Sequence, residues 1–403
     1  MAVAQPYRPL SITQVLVCGA AIVTLSMGIR HGFGLWLAPI TSDRGWSRET
    51  FSFALAVQNL AWGLAAPFAG AIADRWGAFR VVVGGSLLYA AGLVAMGVAT
   101  SGWAFLGGTG LLIGIAQAGT TYAVVYGVIG RNVAPERRSW AMGVTAAAGS
   151  FGQFLMVPVE GGLIGVIGWQ GALFVLGGIA MLMVPLAWGL REPARGAAVA
   201  GQQSMGAAVR EALGHPSFLL LTAGYFVCGF QVVFIGVHMP SYLKDHGLTP
   251  DVATTALALI GLFNVVGTYV AGVLGGRLPK TYLLSAIYAL RSVVIVIFIT
   301  APLSPWSVYA FAAAIGLLWL STVPLTNGVV ASIFGVRYLS MLGGFVFLSH
   351  QIGSFLGVWL GGRLYDATGS YNVVWWIAVA LGVLAALINL PIRETAILRP
   401  AAA

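Results

Sequence analysis

PITSDRGWSRETFSFALAVQNLAWGLAAPFAGAIADRWG, residues 39–77, aligns without a gap to SYLKDHGLTPDVATTALALIGLFNVVGTYVAGVLGGRLP, residues 241–279. At this offset of 202 residues Asp43 meets Asp245, Gly45 meets Gly247, Ser47 meets Thr249, Gly70 meets Gly272 and Arg75 meets Arg277. Identity is sparse. What repeats is an order of parts: a polar loop, an apolar helix with a small-residue face, then a basic turn. The chain therefore reads as two tandem halves. Working outward from the repeat, apolar runs of about 20 residues, each long enough to cross the hydrocarbon core, recur at 12–38, 50–73, 79–99, 102–130, 139–163 and 169–190. They continue at 218–243, 252–276, 281–300, 305–333, 339–363 and 371–392. The one long segment that does not span is 191–217. The expected division is a first six-helix bundle at 1–190, a central loop at 191–217 and a second bundle at 218–403.

Composition excludes a water-exposed fold. Of the 403 residues 59% are hydrophobic and only 8% charged, where a soluble domain carries roughly 25%. The 55 glycines suit close helix packing, because lipid supplies no hydrophobic drive between helices. Residues 1–11 form a short polar tail without a cleavable signal. Cys18 and Cys228 both fall in apolar runs and read as buried thiols rather than a disulfide framework. The net charge of +9 is a matter of topology and not of nucleic acid. With the N-terminus inside, Arg8, Arg75, Arg80, Arg131, Arg137, Arg138, Arg191, Arg195, Arg210, Arg277, Lys280, Arg337, Arg393 and Arg399 are cytoplasmic. Only Arg44, Arg48, Lys244 and Arg363 are external, while Arg30 and Arg291 stay in the membrane. The positive-inside rule then sets both termini and the central loop in the cytoplasm. An even number of spans in each half makes the repeat a parallel one, a plan that binds substrate between the halves near the midplane.

The segment Gly70-Ala-Ile-Ala-Asp74-Arg75-Trp-Gly77-Ala-Phe-Arg80 resembles the loop motif between the second and third helices of the major facilitator superfamily. The turn Pro135-Glu136-Arg137-Arg138 is also similar to that family's. Within it, GIRHGFGLWLAPITSDRGWSRETFSFA (28–54) and FLSHQIGSFLGVWLGGRLYDATGSY (347–371) look most like the monocarboxylate-transporter-like and oxalate–formate-antiporter branch. The resemblance implies an all-α polytopic membrane protein of about twelve helices in two six-helix bundles. It implies a cavity lined mainly by helices 1, 4, 7 and 10. It also implies a gating motif of Gly70, Asp74, Arg75, Gly77 and Arg80, in which Gly70 permits close helix contact and the charges form a latch. The second copy, GVLGGRLPK, has Gly276 in place of the acid. The animal monocarboxylate transporters carry an Asp and an Arg one turn apart on the eighth helix, where this chain has Asn264 and Thr268. Their acidic–aromatic signature before the first helix is missing here, and their basic residue on that helix falls near Arg30 or His31.

Arg30 lies about 19 residues into the first span, near 28 Å along it at ~1.5 Å per residue. An Arg within a span costs about 2.5–3.5 kcal/mol on insertion scales and faces the interior or a water-filled path. It reads as a seat for a carboxylate, which a guanidinium holds bidentately, or as an Arg snorkelling to the headgroups. Arg291, about 16 Å beyond Lys280 on the ninth helix at ~1.5 Å per residue, is open between cargo contact and structural partner. Turned inward, it and Arg30 hold the two ends of a dicarboxylate. His31 and His350 are titratable and deep in spans, so each is a proton carrier or a buried hydrogen-bonded ring. Glu160 is a third candidate for the proton, expected near the outer water interface. Two arginines and no deep carboxylate point to an anionic or neutral cargo. Among mid-span polar residues Tyr122, Gln231, Asn264 and Asn327 join Arg30, His31, Arg291 and His350 as substrate-binding candidates. Gln58, Asn59, Gln117, Thr121, Tyr126 and Gln153 read as interhelical glue, and Trp62 and Trp319 as packing aromatics or stacking platforms.

No enzyme, metal or cofactor motif is present. The expectation is a monomeric secondary transporter in a bacterial cell inner membrane. It moves a small mono- or dicarboxylate by alternating access, by proton symport or anion exchange. Its partners are the cargo, protons and the lipid bilayer, and not nucleic acid. The rival is an exporter of drugs, siderophores or another amphipathic solute; a membrane-embedded sensor or enzyme is a more distant one.

Overall fold

The computed structural model describes residues 10–46, 48–192 and 203–397, and among these all regular structure is helical. The tail before residue 10, Ser47, Arg195 with the middle of the central loop, and Arg399 lie outside the described residues. Among the described residues eleven runs are long and apolar enough to cross a membrane. One of them, Pro135–Leu190, has 56 residues, about 84 Å of helix at ~1.5 Å per residue against a hydrocarbon core of ~30 Å. Gly168 breaks it, with φ 74 and ψ 165, a backbone region that favours glycine. Two spans meet at that corner, which makes twelve.

In chain order the spans are α1 (Ile12–His31), α2 (Arg48–Trp76), α3 (Ala78–Val98), α4 (Gly102–Asn132), α5 (135–167) and α6 (169–190). The second half has α7 (Pro216–Asp245), α8 (Pro250–Gly275), α9 (Lys280–Thr300), α10 (Pro305–Phe334), α11 (Leu339–Thr368) and α12 (Asn372–Asn389). Each packing pair has a counterpart six helices on. The α1–α5 pair answers to α7–α11, α2–α4 to α8–α10, and α3–α6 to α9–α12. Across the bundles, α2 packs on α11 and α8 on α5, which is the same relation with the halves exchanged. Turn geometry repeats as well: Gly45 and Gly247, equivalent in the alignment, both have positive φ, at 65° and 80°.

Three local features depart from the expectation. α1 ends at His31 rather than 38. Gly32–Trp36 winds as a 3-10 helix, and Leu37–Arg44 restarts as a short helix. At the break Gly32 lets the Glu160 carboxyl of α5 come against the backbone, in space that a Cβ would fill. Part of the expected central loop is also helical, over Met205–Leu213. Ser204 caps this helix, accepting from the Ala207 N–H at 3.2 Å, and Ala208 and Ala212 are buried. Lastly, α4 and α10 are each interrupted, at Thr121 (φ −119, ψ −165) and around Leu318–Ser321.

The bundles meet tightly at the face that carries the basic turns. Gly70 lies against the backbone of Ser340, and Gly143 on α5 against Gly272 on α8. Asp74 accepts from Arg131 at 2.6 Å and from the Met341 N–H at 2.8 Å, which ties the end of α2 to the start of α11. Arg131 also grips Glu192 at 2.7 Å. The motif's acid thus joins a charge pair that ties the two halves, and its cation is Arg131. Arg75 and Arg80 are exposed, and Arg75 lies 4.8 Å over the ring of Trp76. In the second half Lys280 pairs with Glu394 at 3.1 Å, and Glu394 also accepts from the Thr281 N–H at 2.9 Å.

Candidate functional site

A small cavity sits between the halves where α4 and α10 lose helical geometry. Its walls are Trp62 and Ala66 from α2, Thr121, Tyr122 and Ala123 from α4, Tyr225 from α7, Val323 and Asn327 from α10, and Gly343, Val346 and Phe347 from α11. Its volume is about 20 Å³, room for about one water. Thr121 and Val323 are repeat equivalents, 202 residues apart. The α4 break at Thr121 thus lies in the cavity wall, while the second half contributes Val323 and Asn327 from the helical turns just after its break.

Arg30 approaches the cavity across the face of Trp62, its guanidinium 4.9 Å from the ring centroid. Nη2 donates to Asn59 Oδ1 at 2.5 Å, and the buried Nε has no partner. Arg291 is 1% exposed and fully engaged. Its guanidinium donates to the carbonyls of Leu318 (3.1 and 2.6 Å) and Trp319, and to Gln231 Oε1 at 3.4 Å. These carbonyls end the first half of α10 and have lost their helical donors, so a cation there satisfies them and opposes the negative end of the helix dipole. Among the described residues no carboxylate pairs with Arg30 or Arg291.

Of the other expected residues, Tyr122 and Asn327 line the cavity. The Tyr122 hydroxyl has no partner, while the Asn327 amide donates back to Val323 O at 3.1 Å. His350 lies one layer behind, its ring 4.9 Å from Tyr225 and stacked 5.4 Å from Phe347. Asn264 and Gln231 stand away from the cavity walls. Asn264 donates to Ser150 on α5 at 2.8 Å and accepts the Leu320 N–H at 3.0 Å, bridging the bundles at the α10 break. Gln231 joins Arg291 to the Ala378 carbonyl of α12 at 2.9 Å. His31 is exposed and bonded to the Met27 carbonyl at 2.8 Å.

Glu160 corrects the reading of an acid at the water interface. It is 0% exposed, accepts the Trp36 indole N–H at 3.2 Å, and leaves Oε1 without a partner. The 3-10 turn after α1 supplies Trp36 and so encloses the carboxyl. Sequence reasoning missed three participants: Tyr225, Arg131 and Glu192. One signal was available for the last. Arg-Glu at 191–192 recurs at 393–394, at the repeat offset, and both glutamates hold the basic face.

Two helical bundles around a cavity, tied together on one face by a charge pair, fit a multi-pass membrane carrier. The Major Facilitator Superfamily model matches residues 16–357 and also 221–403, and the chain belongs to that family. It is 26% identical over 377 residues to monocarboxylate transporter 13 of Bos taurus, covering 91% of this chain and 86% of that protein. It is 27% identical over 382 residues to monocarboxylate transporter 11 of Homo sapiens, covering 91% and 80%. The solved structure of the E. coli fucose:proton symporter superposes with a TM-score of 0.73 at 15% identity, covering 95% of this chain and 98% of that one. The chain is a transporter and not an enzyme.

Proposed function

We propose that this transporter carries a small organic anion, with Arg30 as its carboxylate seat, by alternating access of two halves at 1–190 and 218–403. The observation behind the reading is the unpaired guanidinium beside the cavity. A cation held within a span without a carboxylate is costly, and an anionic cargo relieves that cost once per cycle. Because Arg291 is spent on the α10 carbonyls, one guanidinium remains for cargo, which favours a monocarboxylate over a dicarboxylate. Tyr122 and Asn327 offer a hydroxyl and an amide to the cargo's remaining oxygens. The likeness to monocarboxylate transporters supports the same class. Proton symport is the preferred coupling, with Glu160 as the carrier before His350 and His31, since its carboxyl is enclosed within the bundle and leaves Oε1 without a partner. Anion exchange is the other mode. The bias of basic residues puts both termini and the latch on the cytoplasmic side of a bacterial inner membrane.

The test is uptake of labelled acetate, lactate, pyruvate and succinate into proteoliposomes, wild type against Arg30→Ala. The expected result is carboxylate uptake that falls at least tenfold in the variant. Uptake indifferent to the substitution, or no carboxylate carried by the wild type, defeats the reading.

A further inference from the structure

A hydrogen-bonded chain crosses from one bundle to the other at the level of the cavity. It starts at Arg30, whose Nη2 rests on Asn59 Oδ1. The Asn59 Nδ2 donates to the Leu55 carbonyl at 3.0 Å, which turns Oδ1 towards the guanidinium. From the opposite bundle, Gln351 Nε2 donates to the Asn59 carbonyl at 3.0 Å and lies 3.4 Å from the same Oδ1. Gln351 Oε1 is 3.1 Å from His350 Nδ1, so the imidazole donates to it and the amide's orientation is set from both ends. Gln351 is 2% exposed, and its stem packs against Gly63, where a Cβ would meet it. The side chain is thus held in place sterically as well as by hydrogen bonds.

We propose that Gln351 is a positioning residue for the anion seat: acting through Asn59 from the second bundle, it aims the Arg30 guanidinium. The proposal rests on the reading of Arg30 as that seat. A guanidinium gains bidentate strength only when its fork is correctly presented, and here the presentation depends on a residue of the other half. The seat is therefore assembled only while α2 and α11 touch at this level. When the halves rock apart there, Asn59 is held by its own-helix bond alone, its oxygen is no longer fixed from both bundles, and the aim of Arg30 loosens. Affinity for the anion becomes a function of conformation.

Four variants test this in proteoliposomes, using whichever of labelled acetate, lactate, pyruvate or succinate the wild type takes up fastest. Gln351→Met keeps the length and packing of the side chain but removes the donor. The expected result is a KM about tenfold higher with kcat within twofold. Asn59→Asp places a carboxylate on Arg30 and neutralises it internally, so carboxylate uptake is lost while the melting temperature in detergent is kept or raised. Asn59→Gln, which retains an amide, recovers part of the uptake relative to Asn59→Leu. A substrate-free readout stands beside these: phenylglyoxal modification of Arg30, followed by mass spectrometry, runs several-fold faster in Gln351→Met. If the wild type carries no carboxylate, the functional reading fails, and labelling of Arg30 still decides the positioning role. Unchanged KM, a fall confined to kcat, or equal labelling in both proteins overturns it.

Discussion

Two arginines within the spans have different employments, and the difference lies in what their N–H groups meet. Arg291 meets carbonyls that the α10 break has orphaned, and its work is structural. Arg291→Ala strands those acceptors, each unsatisfied buried group costing about 1–3 kcal/mol. The expected result is a melting temperature in detergent lower by several degrees, with the KM of any surviving uptake unchanged. Arg30 meets one amide oxygen and an aromatic face, so its fork is available to cargo. Arg30→Lys keeps the charge but not the fork, and uptake assays should give a KM at least fivefold higher. For Glu160, a carboxyl that can release its proton is the essential property. Glu160→Gln should abolish accumulation driven by an imposed proton gradient yet retain counterflow of labelled against unlabelled carboxylate; loss of both together removes the acid from coupling. Depth and helix number made Arg30, Tyr122 and Asn327 legible in the sequence. The burial of Glu160 was not, because the turn that encloses it comes from residues 124 positions away.

At the scale of elements, hydropathy found twelve spans but not their interruptions. The run GFGLWLAPI stays apolar through the end of α1, and a hydropathy profile cannot register that Gly32 abuts a carboxyl. The breaks in α4 and α10 are invisible for the same reason, since composition does not change where hydrogen bonding does. Glycine contacts were expected as packing, and their partners are now specific. Gly143 and Gly272 touch at the α5–α8 crossing, close to the latch face. Gly143→Val sets a branched side chain against backbone, which cannot move aside as a flexible side chain would. The bundles should then fail to close on that face. A cysteine introduced at Ala271 should react faster with a membrane-permeant maleimide in this variant than in a background with Gly143 intact, and uptake should fall. Asp74→Asn leaves Arg131 facing Glu192 alone and removes one charge from a buried triad. Breaking such an arrangement costs about 3–5 kcal/mol, so the same reporter should show a comparable opening.

Over the whole molecule, the repeat and the charge bias were the legible parts, because both are written in residue type and spacing. How one half completes the site of the other was not, since contacts such as Gln351 on Asn59 join positions 292 residues apart. The unpaired guanidinium beside the cavity also has an electrical consequence. Moving one elementary charge through the full membrane potential is worth about 2.3 kcal/mol per 100 mV. Closing access on one side and opening it on the other shifts where the voltage drops, so Arg30 changes electrical position even with little travel of its own. A monocarboxylate bound to it cancels that charge, leaving the loaded carrier nearly blind to voltage while the empty carrier feels it. Exchange, which cycles only loaded carriers, should proceed at the same rate at any valinomycin-clamped potential. Net uptake without a proton must return that positive charge outward and should slow as the interior is made more negative, whereas proton symport returns the empty carrier with Glu160 ionised, whose charge offsets that of Arg30, and should be indifferent to potential.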